Sequence, residues 1–175
     1  MLNRSVRHIL VAANVVMCFA AGAKVHAQTA TPRSAAPNKE TRVTRATGSF
    51  DVKLNPLAAY NDADGALLGR FSIDKQIRGD LEATSKGEML TAGGSVKNSA
   101  GYVAVERVTG TLHGRGGSFA LMHTGVMTRG DGKLTITVVP DSGTGDLAGI
   151  SGSMNIIITD GKHLYEFDYV IAAVP

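Results

Sequence analysis

From Ser49 to about Ala172 the chain alternates apolar and polar side chains with a period of two, interrupted at intervals by Gly, Asp and Asn. GSFDVKL sets Phe50, Val52 and Leu54 against Ser49, Asp51 and Lys53. RFSIDKQI sets Phe71, Ile73 and Ile77 against Ser72, Asp74 and Gln76. The pattern continues through DLEATSKGEML, AGYVAVERVTGTLHG, GSFALMHTGVMTRG, GKLTITVVP, GSMNIIITD and GKHLYEFDYVIA, which makes eight predicted strands. Asp-Gly in RGDGK and TDGKH supplies the positive φ of tight hairpins, and HGRGGS a looser glycine turn, so neighbouring strands are predicted to run antiparallel. Two connections are longer, NPLAAYNDADGALLG and DSGTGDLAGISG, each with room for one helical turn. No long amphipathic helix is predicted.

Successive antiparallel strands with no helix to cover them avoid open edges by closing into a barrel or by packing as two sheets. The all-β reading favoured here is a single antiparallel eight-stranded closed barrel, whose interior has room for a packed core or one small ligand. Alternation alone does not separate this from a sandwich.

The blocks DLEATSKGEML, GYVAVERVTGTLHGRGGSFALMHTG and VVPDSGTGDLAGISGSMNIIITDGKHLYEFDY closely resemble the bacterial domain-of-unknown-function family 3224. Members of that family look like the allene oxide cyclase type of barrel. The resemblance implies an eight-stranded barrel and brings no agreed activity and no established catalytic residues. It also implies a homo-oligomer, since barrels of that type often associate. Kinship of fold to a cyclase is not kinship of function.

Charge enters at both ends of the chain's organisation. Arg4 and Arg7 precede an apolar run from Ile9 to Ala23, broken by Asn14 and Gly22, and VHA stands before Gln28. This is the pattern of a signal peptide over residues 1–27, too short and interrupted for a membrane span. QTATPRSAAPNKETRVTR then reads as a flexible leader over residues 28–45, with the barrel domain over 46–175. The expected location is periplasmic or secreted, with no stable membrane anchor after cleavage. Loss of Arg4, Arg7 and Lys24 leaves basic and acidic residues equal in number, so the overall pI of 9.1 gives no support for nucleic-acid binding. The single cysteine, Cys18, leaves as well, so no disulfide or thiol chemistry is expected in the domain.

The remaining charge concentrates on the second and third strands. Arg70, Ser72, Asp74, Gln76 and Arg78 share one face of the second; Asp80, Glu82, Thr84 and Lys86 share one face of the third. These complement one another across a hairpin, and the favoured reading is a solvated outer charge ladder; a polar lining of the interior is the alternative.

Candidate chemistry comes from the later strands. Tyr102, Ala104 and Glu106 share one face of the fourth strand, Val103, Val105 and Arg107 the other, so each face carries one charge. The balance favours Glu106 as a rim residue in an ion pair, because buried carboxylates are uncommon. An interior Glu106 would have its pKa raised by desolvation and become a candidate general base. His123 alternates with Phe119, Leu121 and Met127 and is the histidine expected to point inward, whereas His113 and His163 lie by glycine turns at the barrel ends. Tyr165, Phe167 and Tyr169 form one face of the last strand, with Glu166 and Asp168 opposite; two hydroxyls inside a barrel need partners, which a ligand, His123, Ser85 or water would supply.

Metal-ligand spacings such as His-x-His are absent and no metal site is predicted. GTGDLAG precedes a strand and not a helix, and GISGS lacks nucleophile-elbow spacing, so neither a nucleotide site nor a serine hydrolase is indicated. No cofactor is expected. Two functions of different class follow: a barrel that binds a small apolar molecule, with Ser85, Tyr102, Glu106, His123, Tyr165 and Tyr169 as lining candidates, or a cofactor-free isomerase or cyclase with Glu106 and His123 as catalytic candidates.

Overall fold

The protein is described by a computed structural model over residues 42–61 and 67–173. The signal peptide read over 1–27 and most of the leader lie outside the described residues. The strands are β1 (Thr44–Leu57), β2 (Leu68–Gly79), β3 (Leu81–Gly93), β4 (Ala100–Leu112) and β5 (Arg115–Thr128), followed by β6 (Asp131–Val138), β7 (Thr144–Gly145), β8 (Ile150–Thr159) and β9 (Lys162–Ile171). All pairings are antiparallel, and β4 pairs with β5 while β1 pairs with β9, so β1 to β6, β8 and β9 close into an eight-stranded barrel. The two-residue β7 is an addition, paired to β5 where β6 has already turned away.

The predicted strands are all present, and the first is longer at both ends. Thr44 and Arg45, placed by the sequence in the leader, belong to β1, where Arg45 pairs in register with Asp168 of β9. Asn55 to Leu57, read as loop, also stay in the ladder against β2. The connection from Asp141 to Gly149 holds no helix; beyond β7 it makes short turn bonds from Leu147 N to Thr144 O, Ala148 N to Gly145 O and Ile150 N to Leu147 O.

Closure gives alternate residues an inside and an outside. One end of the barrel, formed by the β2–β3 and β4–β5 hairpins and the β6–β8 connection, is filled: Leu81, Leu112, Phe119 and Phe167 are fully buried, with the Phe119 and Phe167 rings stacked 5.6 Å apart. The other end is not. Leu54, Met127, Leu134 and Ile158 lie on the inward-facing alternation of their strands yet remain exposed, from 41% for Leu134 to 68% for Ile158. Beside them β6 and β8 share only one paired position, Thr137 with Ser153, so the wall there is loosely joined.

The charged hairpin faces solvent. Arg70 meets Glu88 at 2.7 Å, Arg78 meets Asp51 at 2.7 Å, and Lys86 stands 3.9 Å from its cross-strand partner Asp74. The charge that the sequence concentrates there fixes register on the outer face and does not line the interior.

Candidate functional site

Four neighbouring strands bring polar side chains into the interior at the layer where apolar filling stops. Lys75 of β2, Ser85 of β3, Glu106 of β4 and His123 of β5 all point inward; Ser85 and Glu106 are 1% exposed and His123 is 4% exposed. Lys75 and Ser85 are direct cross-strand partners, as are Ala104 and His123, so Glu106 reaches both neighbours on the diagonal. Gly87, the partner of Glu106 in register, makes this possible: a Cβ on Gly87 would stand 2.2 Å from Val105 O and 2.6 Å from Glu106 Cβ. Glycine there lets the Glu106 side chain cross the β3 backbone.

The carboxylate is bonded at both oxygens. Lys75 Nζ donates to Oε1 at 2.6 Å, His123 Nε2 meets the same oxygen at 2.8 Å, and Ser85 Oγ donates to Oε2 at 2.5 Å. Lys75 also lies over the Phe50 ring, 4.9 Å from its centre. Among the described residues no buried side-chain nitrogen or oxygen lacks a partner. Burial pushes the Glu106 pKa up, but the His123 hydrogen bond, the Lys75 charge and bond and the Ser85 hydroxyl together outweigh it, and the result is a pKa lowered to about 2.

Two expectations are corrected here. Glu106 is not a rim residue: its ion pair is in the interior, because the inward face of β4 is the one that holds Tyr102, Ala104 and Glu106. Nor is its pKa raised, since desolvation acts on a group that three donors hold in its charged form.

The other candidates separate from this cluster. Tyr102 stands on the same face toward the open end, half-buried, its ring lying on Gly125 so closely that a Cβ there would be 2.1 Å from Cε1. Burial, and after it the charge of Glu106, raises the Tyr102 pKa. Tyr165 is in the filled half, where its hydroxyl accepts from Leu81 N at 3.0 Å and donates to Arg78 O at 3.4 Å. Tyr169 lies farther toward that end, its hydroxyl 2.8 Å from His113 Nδ1. The interior thus gathers Ser85, Glu106 and His123, with Tyr102 beside them, and assigns Tyr165 and Tyr169 elsewhere. His113 and His163 sit at the barrel ends as expected, His163 tilted against Phe50 at 5.0 Å.

Sequence reading did not single out Lys75. Its signal is present: along Phe71, Ile73, Lys75 and Ile77, a lysine occupies an inward position between apolar neighbours. Alternation scored by its apolar members passes over it.

No curated protein matches the chain. Among solved structures it is similar to a protein of unknown function of the DUF3224 family from Shewanella oneidensis MR-1, at 51% identity and a TM-score of 0.73, over 76% of this chain and 100% of that one. The model of the family described as protein of unknown function (DUF3224) matches residues 46–169. That span takes in all of the barrel but the outermost two residues of β1 and of β9, including Lys75, Ser85, Glu106 and His123, and the chain belongs to the DUF3224 family.

Proposed function

We propose that the protein is an exported binding barrel for a small, largely apolar molecule that carries one hydrogen-bond acceptor, such as a carbonyl or carboxylate oxygen. The observation that carries this reading is the buried Lys75–Glu106 pair, with Ser85 and His123, at the floor of a half-open barrel end. Above that floor the inward side chains are mostly apolar and incompletely covered: Val52, Phe71, Met89 and Ile156 are half-buried, Leu54 and Ile158 exposed, with Tyr102 and His163 the polar members. Such a cup, apolar in its walls with a few convergent polar groups, is the common form of a small-molecule site. Lys75 Nζ donates once to Glu106 and retains capacity for more, and His123 uses Nε2, leaving Nδ1 for a further partner. Export is supported by Arg4, Arg7 and the apolar run that follows them.

The isomerase alternative draws less support from the same geometry. A carboxylate whose pKa is about 2 is a weak base near neutral pH, far from the matched value that proton abstraction favours.

The test uses decanoate and decanol as probes, with native mass spectrometry of freshly purified protein to detect any co-purifying molecule. Decanoate is expected to bind saturably and decanol more weakly. A Lys75→Met/Glu106→Gln double variant, which leaves no buried charge unpaired, should lose at least about tenfold in decanoate affinity, equivalent to about 1.4 kcal/mol, and little in decanol affinity. Absence of any co-purifying molecule together with equal, non-saturating responses to both probes would defeat the reading.

A further inference from the structure

We propose that the filled end of the barrel carries a second, separate site, on its outer rim, for a small molecule bearing a carboxylate or phosphate group. A hollow of about 390 Å³ there is lined by Arg42, Thr44, His113, Arg115, Tyr169 and Ile171. It faces away from the Glu106 cluster, at the opposite end of the strands.

Two features distinguish it from ordinary surface charge. First, Arg42 and Arg115 share the hollow without an acidic partner among the described residues, whereas Arg45, Arg70 and Arg78 on the neighbouring strands are each tied to a carboxylate. Two guanidiniums around one concavity repel each other, and their fork of donors matches a planar or tetrahedral oxyanion. Second, the back wall is built. Tyr169 is 6% exposed and its hydroxyl is held 2.8 Å from His113 Nδ1, while His113 Nε2 stands 3.6 Å from Asp80 Oδ1. His113 adopts a positive φ of 47° at the β4–β5 turn, and its amide donates to Asp80 O at 2.8 Å, which docks one hairpin on the other and fixes the ring.

Asp80, the acidic group beside His113, makes no ion pair with either arginine. Its Oδ2 accepts from Thr47 N at 2.8 Å and Thr47 Oγ1 at 3.2 Å, so it is committed to the β1 backbone. The hollow is left with two cations that have no acidic partner among the described residues, a back wall formed by the mutually bonded Tyr169 and His113, and space beyond what one water would need. An oxyanion between Arg42 and Arg115, with Tyr169 and His113 behind it, completes the set.

The experiment is calorimetric titration of the full chain with inorganic phosphate and, separately, with acetate at low ionic strength. Amide and side-chain NMR shifts locate the response. Saturable binding by at least one of the two, with shifts at Arg42, Arg115, His113 and Tyr169, is expected, and their order tells a tetrahedral from a planar preference. Arg115→Gln should weaken binding at least tenfold, and Arg115→Lys by a smaller factor. Lys133→Gln, which removes one positive charge at the other barrel end, should leave it unchanged. An equal loss in Lys133→Gln, shifts spread over all basic residues, or no saturation with either anion would overturn the proposal. Decanoate binding at the open end is measured in the same variants, so failure here is distinguishable from failure there.

Discussion

Replacing Glu106 by Gln gives the sharpest test of how the interior cluster is held. The glutamine is close in shape to the protonated acid, so the variant resembles the wild-type protein after Glu106 has taken up a proton. The Glu106 pKa is lowered from 4.5 to about 2. A carboxylate depressed in the folded state contributes stability that is fully present above its unfolded value and is lost as pH falls through the folded value. At about 1.4 kcal/mol per pH unit the interval amounts to roughly 3 kcal/mol, and more than half of it is gone by about pH 3. Near neutral pH, Glu106→Gln is therefore expected to be less stable than wild type by about 3 kcal/mol, within the range measured when one partner of a buried pair is removed. The difference should shrink steadily below pH 4.5 and approach zero near pH 2. Urea unfolding followed by far-ultraviolet circular dichroism at a series of pH values reads this directly, and the exposed carboxylates common to both proteins cancel in the comparison. Lys75→Met added to Glu106→Gln should recover much of the loss, because no unpaired cation then remains inside. A difference that stays constant with pH, or one below about 1 kcal/mol at neutral pH, would refute the view that three donors hold an ionised Glu106.

Two further substitutions probe the frame around the site. Gly87→Ala should destabilise the barrel by at least about 2 kcal/mol, because its Cβ would meet the fixed Val105 carbonyl, while Gly116→Ala, with nothing within 4 Å, should be tolerated; chemical denaturation of both checks this, and equal effects would sink it. Tyr165→Phe should cost about 1–3 kcal/mol by leaving the buried Leu81 amide without its acceptor, with probe binding at the open end unaltered; a change in that binding would place Tyr165 in the site after all.

Alternation carried the fold. Each of the eight wall strands is legible because closure exposes one face and buries the other, and the Asp-Gly and Gly-rich breaks fall where hairpins turn. The same rule placed His123 inside and the ladder of β2 and β3 outside. It failed on β4, where each face carries one charge and period two cannot choose between Glu106 and Arg107. The choice is made by neighbours on other strands: Lys75 and Ser85 are in register across β2 and β3, and they offer donors only to an inward Glu106. Height along the barrel was not legible either. Tyr165 and Tyr169 share the inward face of β9 with Phe167, but strand tilt and stagger decide which layer each occupies. That geometry puts both in or beyond the filled half, away from His123.

The distribution of polarity inside the barrel bears on why a buried ion pair is kept at all. An apolar pair of similar volume is often as stable or more so, which makes the Lys75–Glu106 pair poor evidence of selection for stability alone. If stability were the reason, the pair would be expected anywhere in the interior. It lies instead at the boundary between the filled half, where Phe119, Phe167 and Leu81 are wholly buried, and the open half, where inward apolar side chains remain exposed. Under the proposed binding role, an incoming molecule reaches the floor at that boundary, and there the spare donor capacity of Lys75 has a use. The Arg42–Arg115 hollow follows the same logic at the other end, with unpaired charge placed where solvent and solutes arrive. Between the two, the Tyr165 hydroxyl bonded to Leu81 and the stacked Phe119 and Phe167 rings close the interior. The ends are therefore not the mouths of one channel.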